Sequence, residues 1–215
     1  MTALSPRSVL RGATLPGKRF FKNRAFFGNT LCAAALCAAL QGCASAPLRL
    51  YTLDAPAIPS GTSTNASAAV VGISRIRLPD YLDTQNIITR DGQFVRTSPN
   101  GRWAERLSNG LTDLLAAKIR QARPDLIVTE TPLTSAPTSR LMLDITRFDV
   151  SASGVATLDA HWAIIGAKGD TPAFTGQTSL TANGPISSDA DVVALMNRLS
   201  AQVFDKVIQT LTTIR

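Results

Sequence analysis

The chain has 215 residues, with 22 basic and 15 acidic side chains and a formal net charge of +7. The excess does not indicate a nucleic-acid partner: Arg7, Arg11, Lys18, Arg19, Lys22 and Arg24 stand before residue 25 with no acidic residue among them, and no later stretch is comparably basic.

From Ala25 to Leu48 there is no charge. A positive stretch, an apolar stretch and then small residues form the secretory pattern. Leu40-Gln41-Gly42-Cys43 reads as a lipobox, which predicts a signal peptide over residues 1–42, an acylated Cys43, a short tether over 43–47 and one domain over 48–215. The rival reading is an uncleaved membrane anchor, but the run Thr30–Leu40 is short of the ~20 apolar residues a span needs. Cleavage leaves 173 residues with 16 basic and 15 acidic side chains, a net +1. Cys32 and Cys37 leave with the signal, and Cys43 is consumed by acylation. A domain near this size buries roughly 70% of its unfolded surface, so it needs no disulfide. Two or more acyl chains, at ~0.8 kcal/mol per buried CH₂, hold a protein firmly on a bilayer. Ala44, rather than Asp, follows the cysteine. By resemblance to lipoproteins of Gram-negative bacteria, this implies the periplasmic face of the outer membrane. Tyr51 lies eight residues after Cys43, so the domain should sit within ~30 Å of its anchor.

Leu48–Asp54 alternates and predicts a first strand; residues 55–68 predict a loop. Ala69–Leu78 predicts a second strand, stopped by Pro79. Ile87–Arg90 and Gln93–Arg96 flank Asp91-Gly92 as a hairpin. Trp103, Leu107, Leu111, Leu114, Leu115 and Ile119 recur at helical spacing and predict a helix over 102–121, with Trp103 anchoring it to the sheet. A short strand follows at Leu126–Thr129, then a loop over Pro132–Ser139. Arg140–Ser151 and Val155–Lys168, joined at Ser153-Gly154, and then Ala173–Thr181 after Gly169-Asp170, predict an antiparallel meander. Leu141, Leu143 and Ile145 should share one face, with Met142, Phe148 and Val150 on the other; Leu158, Ala160, Trp162 and Ile164 should share a face of the next strand. Ser188 and Asp191 predict a capping box before a helix carrying Val192, Leu195, Met196, Leu199, Val203, Val207 and Leu211. Two amphipathic helices on a mixed, largely antiparallel sheet make an α+β layered sandwich.

Catalytic chemistry finds little to use. His161 is the only histidine, with Asp159 on the same strand face, but no G-x-S-x-G elbow accompanies them; it reads as a half-exposed strand residue. One histidine and one acylated cysteine cannot supply a zinc site, and neither G-x-x-x-x-G-K nor G-x-G-x-x-G occurs. The composition is that of a binding or scaffolding protein rather than an enzyme. No cofactor is expected beyond covalent acyl chains on Cys43. The unusual stretch is Arg75–Asp83 running on to Ile87–Arg90, where three arginines, Tyr81 and two aspartates surround a proline-broken strand end. As structure, Pro79 would end the strand, Tyr81 and Leu82 would plug a core edge, and Arg90 and Arg102 would pair with Asp80, Asp83 or Glu105. As a site, the same residues would bind a partner.

Leu78-Pro79-Asp80-Tyr81-Leu82-Asp83, Ile88-Thr89-Arg90 and Arg102-Trp103-Ala104-Glu105-Arg106-Leu107 together resemble the ABC-type transport auxiliary lipoproteins, the PqiC/YmbA-type lipoproteins of the paraquat-inducible system. Tyr51-Thr52-Leu53, Arg147-Phe148-Asp149 and Ala160-His161-Trp162 extend the resemblance over the whole mature chain. It implies an outer-membrane docking component for a mammalian-cell-entry (MCE) domain protein anchored in the inner membrane, in a system moving lipid between membranes. The expected contact is the face carrying Leu78, Pro79, Asp80, Tyr81, Leu82, Asp83, Arg90 and Arg102, with the Asp91-Gly92 hairpin. Ring-like self-association is compatible with the resemblance, since the partner proteins form rings. Two other readings stay open: a carrier holding lipid between sheet and helices, and a purely structural envelope lipoprotein.

Overall fold

The computed structural model divides the chain after Ala46, and the elements below all lie in the unit Pro47–Arg215. Its described residues are 46–57, 68–131, 136–166 and 172–211. The lipobox and Cys43, most of the 55–68 loop and the Gly169-Asp170 turn lie outside them.

Among the described residues the order is β1 (Arg49–Tyr51), β2 (Val70–Ile73), β3 (Asn86–Asp91), β4 (Phe94–Trp103), α1 (Leu107–Ala122), β5 (Ile127–Thr129), β6 (Ser139–Val150), β7 (Val155–Gly166), β8 (Pro172–Asn183) and α2 (Asp189–Leu211). The strands form two mixed sheets, ordered β1-β4-β3 and β5-β2-β6-β7-β8. β1 runs parallel to β4, and β2 runs parallel to both β5 and β6; the β3–β4 hairpin and the β6-β7-β8 meander are antiparallel. The architecture is the expected α+β sandwich, with two sheets where one was expected.

Both helices bury one stripe. On α1 it is Leu107, Leu111, Leu114, Leu115 and Ile119; on α2 it is Val192, Leu195, Met196, Leu199, Val203, Val207 and Leu211. α2 packs on β7 and β8 and also touches β3, β6 and α1, so a single core joins both sheets. It starts as expected. Asp191 N–H donates to Ser188 Oγ at 3.3 Å, and Ser188 N–H donates back to Asp191 Oδ2 at 2.9 Å.

Three expectations fail for local reasons. α1 begins at Leu107, not at residue 102, because β4 continues through Trp103: Arg102 pairs with Leu50 and Asn86, and Trp103 N–H donates to Gln85 O. Trp103 is therefore a buried strand end rather than a helix residue. β2 stops at Ile73, because Ile76 turns into the core and its N–H is taken by Thr112 Oγ1 at 3.0 Å. Finally, Phe148 and Val150 do not face away from Leu141, Leu143 and Ile145. Pairing of β6 with β7 skips Thr146, a one-residue bulge that reverses the alternation and turns Phe148 and Val150 into the core.

Candidate partner-binding site

The bulge at Thr146 builds the site. Past it, Arg147 and Asp149 turn away from the core as Phe148 and Val150 turn in. Asp149 is nonetheless buried, because three side chains close over it. Tyr81 Oη donates to its Oδ1 at 2.8 Å, Arg147 Nε donates to its Oδ2 at 3.1 Å, and Arg90 Nε lies 2.9 Å from Oδ2. The Arg90 N–H points off that line, so this contact is an ion pair without a hydrogen bond. The Arg90 guanidinium also lies 5.2 Å from the centre of the Tyr81 ring, within cation–π range. Burial, and then the bond to Asp149, push the Tyr81 phenol above its ordinary pKa. Arg90, held by Tyr81 and Asp149, is more firmly protonated than a free guanidinium.

The elements that converge here come from both sheets. β2 hands the chain to a segment running beside β6: Ser74 N–H donates to Leu141 O, Arg77 N–H to Leu143 O, and Ile145 N–H to Arg77 O. Pro79 then ends the pairing, and Leu82 N–H and Asp83 N–H close a turn onto its carbonyl. Arg90 is the penultimate residue of β3, and its carbonyl accepts from Ala152 N–H. The four side chains thus clasp the three-stranded sheet to the five-stranded one.

The far end of the turn is pinned separately. Asp83 Oδ1 accepts from Ser108 N–H at 3.4 Å, a cap on the first turn of α1 that Arg106 at the N-cap position does not make for itself. Arg106 donates to Asp83 O at 2.7 Å, and Arg75 Nε to Ser108 Oγ at 2.9 Å. Burial alone would raise the Asp83 pKa; the bonds from Ser108, with Arg75 and Arg106 nearby, outweigh it and hold the carboxyl below its ordinary value.

The predicted residues therefore divide. Tyr81 and Arg90 meet at Asp149, Leu82 is core, and Asp83 caps α1. Leu78 packs partly buried against the core, while Asp80 is exposed at the turn and Pro79 is half-buried beside it. Arg102 is not part of the cluster. It donates to the carbonyls of Ser98 and Gly101, both at 2.6 Å, and so braces the irregular stretch of β4. Neither arginine pairs with Asp80, Asp83 or Glu105 as expected: Arg90 has Asp149, and Arg102 has backbone. Sequence reasoning overlooked Asp149 as the hub, although Arg147-Phe148-Asp149 belonged to the family-like pattern.

His161 is half-exposed on β7, with Nε2 3.5 Å from Asp144 Oδ2, beside a hollow of about 170 Å³ also lined by Met142 and Trp162. That is below the ~300–1,000 Å³ of ordinary ligand pockets, whereas a second, wide-open hollow of about 450 Å³ borders His161 with Thr146, Asp159, Gln177 and Ser179. Among the described residues no three His, Cys, Asp or Glu side chains gather as metal ligands, and no helix is long and apolar enough to cross a membrane.

The fold is a two-sheet α+β sandwich carrying a clasped, proline-stopped turn. The chain belongs to the ABC-type transport auxiliary lipoprotein component family, whose model matches residues 51–208. Its fold is similar to a crystal structure of an uncharacterised protein, with TM-score 0.64 and 17% identity over 77% of this chain and 99% of that one. It is also similar to protein XCC0632 from Xanthomonas campestris, with TM-score 0.61 and 14% identity over 74% of this chain and 92% of that one. Among curated proteins none matches. The family is one of transport auxiliaries rather than of enzymes.

Proposed function

We propose that the protein is a lipoprotein acylated at Cys43 and held on the periplasmic face of the outer membrane, where it docks an MCE-domain protein of an ABC-type system that moves lipid between membranes. It acts as a scaffold, not a catalyst. The observation that carries the docking reading is the Pro79-Asp80 turn, exposed at its apex yet pinned behind by Tyr81–Asp149–Arg90 and at its end by Asp83–Ser108. A turn held on both sides loses little conformational freedom when a partner binds, so more of the contact energy appears as affinity. Asp80 adds an acidic apex for a basic or hydrogen-bond-donating partner surface. The carrier reading has less support: the space between the helices and the sheets is filled by Leu111, Leu115, Ile119, Leu199, Val203 and Phe204, all without solvent exposure.

The test is co-purification from envelope membranes. Wild-type protein should carry an MCE-domain protein with it, and Asp80→Arg should lose that partner while keeping the wild-type unfolding midpoint. Partner retention by a folded Asp80→Arg protein, or no MCE-domain partner at all, overturns the docking reading. Recovery of the acylated protein in inner-membrane fractions overturns the outer-membrane assignment.

A further inference from the structure

β8 has 12 residues and stands last in the order β5-β2-β6-β7-β8, so among the described residues it pairs on one side only, with β7. The other sheet edges are short or interrupted. β5 and β1 have 3 residues each, and β3 has 6 and closes on Arg90 and Asp91. β4 is open beside β1 only before Gly101, where it carries Arg96 and Pro99. Natural proteins blunt a long edge with charge, proline or a bulge, because its unpaired backbone otherwise recruits another strand. From Phe174 to Asn183, β8 has no charge and no proline, and the one break in its register lies before Phe174.

Two bonds fix which backbone groups point outward. Ser151 N–H donates to Val155 O on the β6 side of β7, and Gly184 N–H donates to Gly154 O on the β8 side. The N–H and C=O of one strand residue point the same way, and the direction alternates along the strand. The even-numbered residues of β8 therefore face β7. Thr175, Gln177, Ser179 and Thr181 turn their N–H and C=O to the open edge, and no described group bonds to them. The edge ends at Asn183, whose carbonyl accepts from Arg198 Nη1 of α2 at 3.4 Å.

We infer that this edge seats β8 of a second copy of the chain, antiparallel, about a two-fold axis at Thr178. In that register Thr175 exchanges backbone bonds with Thr181 of the partner subunit, and Gln177 with Ser179 of the partner subunit. Every outward N–H and C=O of the four residues is then satisfied, and the two five-stranded sheets become one. A two-fold contact demands a surface complementary to itself, and this strand meets the demand. Its exposed side chains form Thr–Thr and Gln–Ser cross-strand pairs, which can hydrogen-bond. No like charges meet either. The nearest charged groups on that face, Asp159 and His161, belong to β7, opposite Ser179 and Gln177. Three strand spacings, ~14 Å, separate them from their counterparts, beyond the ~10 Å screening length at 0.1 M salt. The contact closes at two copies and builds no ring. Neither the acylation of Cys43 nor docking at the Pro79-Asp80 turn enters it.

The test is disulfide cross-linking of the full chain in membranes of cells that produce it, under mild oxidation. Thr178 and its counterpart would form a non-hydrogen-bonded pair with Cα atoms ~4.5 Å apart, within disulfide reach. Thr178→Cys should therefore shift most of the chain to a linked dimer. Thr181→Cys is the register control, because its counterpart lies six residues away along the ladder, ~20 Å, too far to bridge. It should stay at the wild-type background, which also reports any link through Cys43. Adding Ser179→Pro to Thr178→Cys removes an outward N–H and no bond to β7, and should cut the yield by about tenfold or more. Exposed Gln177→Lys should lower the yield in the same direction without touching the interior, and unfolding midpoints show that each variant is folded. Folded Thr178→Cys protein without a linked dimer, an equal link in Thr181→Cys, or yields unmoved by both edge variants overturns the pairing. A link from Cys-substituted residue 178 to a different protein gives the edge to another chain and overturns the second copy as its occupant.

Discussion

Tyr81 and Asp149 are 68 residues apart in sequence, and the phenol hydroxyl lies 2.8 Å from the carboxylate it donates to. Through that bond a turn leaving β2 is tied to the strand that the Thr146 bulge re-aims. Asp149 holds two guanidiniums and a phenol at once, so its partners depend on it more than it depends on any of them.

Removing the hub should cost more than removing one spoke. Asp149→Ala leaves Tyr81 without its acceptor and Arg90 without its counter-ion, both partly buried, and breaking a buried ion pair from one side costs ~3–5 kcal/mol. Arg147 is about half exposed and can turn to water, which places the expected loss near the low end of that range. Tyr81→Phe forfeits one hydrogen bond to a charged group, about 1.5–3 kcal/mol, and keeps the aromatic face under Arg90. Denaturant unfolding of the two variants checks the order. Equal losses would mean that the clasp does not centre on Asp149.

Much of this was legible in the sequence, and the misses share a cause. The α2 stripe and its Ser188–Asp191 capping box are local patterns and stand where the periodicity put them. The meander follows from short links between alternating strands. The Thr146 bulge leaves no mark, because skipping one residue changes the partner strand's pairing and not the composition. Without it, strict alternation puts Phe148 and Val150 on the wrong face and gives Asp149 no reason to stand out. The helix predicted from residue 102 failed for a related reason: Trp103 lies four residues before Leu107 and so completes a helical stripe on paper, while the pairing of Arg102 with Leu50 and Asn86 decides the strand. Arg90 found a partner on β6, a strand that contacts β3 only in the assembled fold.

Asp83 gives the first pH-dependent prediction. Its carboxyl is held below the ordinary value, so the folded state binds fewer protons than the unfolded state across the acid window. The stability it contributes is fully present above the unfolded value near 3.8 and is lost as pH falls through the lower, folded value. Asp83→Asn should cost ~1 kcal/mol at neutral pH, the scale of a lost helix cap. Below the folded pKa the cost should shrink, because the wild-type carboxyl is then neutral too. Unfolding curves at pH 7 and about pH 3 compare the two. A cost independent of pH would remove the carboxylate from the capping role.

Asp113 predicts the opposite sign. Its pKa is raised to about 6, first by burial, then by a hydrogen bond to and the charge of Glu130, and further by Glu105, with Arg120 opposing. Here the folded state binds more protons than the unfolded state between the ordinary value of 3.8 and about 6, so stability falls as pH rises through that window. Asp113→Asn removes one of the crowded carboxylates and keeps a group that can donate to Glu130. It should raise the unfolding midpoint at pH 7–8 and leave it nearly unchanged at about pH 4. Asp113 is desolvated on one side by its neighbours but still open to water on the other, so the gain should shrink in high salt. An Asn variant no more stable than wild type at pH 8 would show that Glu130 and Arg120 already accommodate the charge.

Trp162 predicts where the meander is least tolerant. Its indole ring lies against Gly176 on β8, so closely that a Cβ at residue 176 would fall onto the ring atoms, and its Nε1 donates to Thr210 Oγ1 of α2 at 3.1 Å. The ring is thereby fixed between the sheet and the last turn of the helix, and the missing side chain of Gly176 is what admits it. Gly176→Ala must push the indole off this seat in a packed core, a change of the kind that costs ~1–3 kcal/mol. The near-ultraviolet circular dichroism attributable to Trp162 should weaken in parallel. Thr210→Val removes the acceptor, together with the bond its hydroxyl donates to Lys206 O, but leaves Gly176 open to the ring, so it should cost ~1 kcal/mol and leave that signal largely in place. If Gly176→Ala matches wild type in both midpoint and dichroism, the sheet relaxes around residue 176 and the close approach carries no constraint.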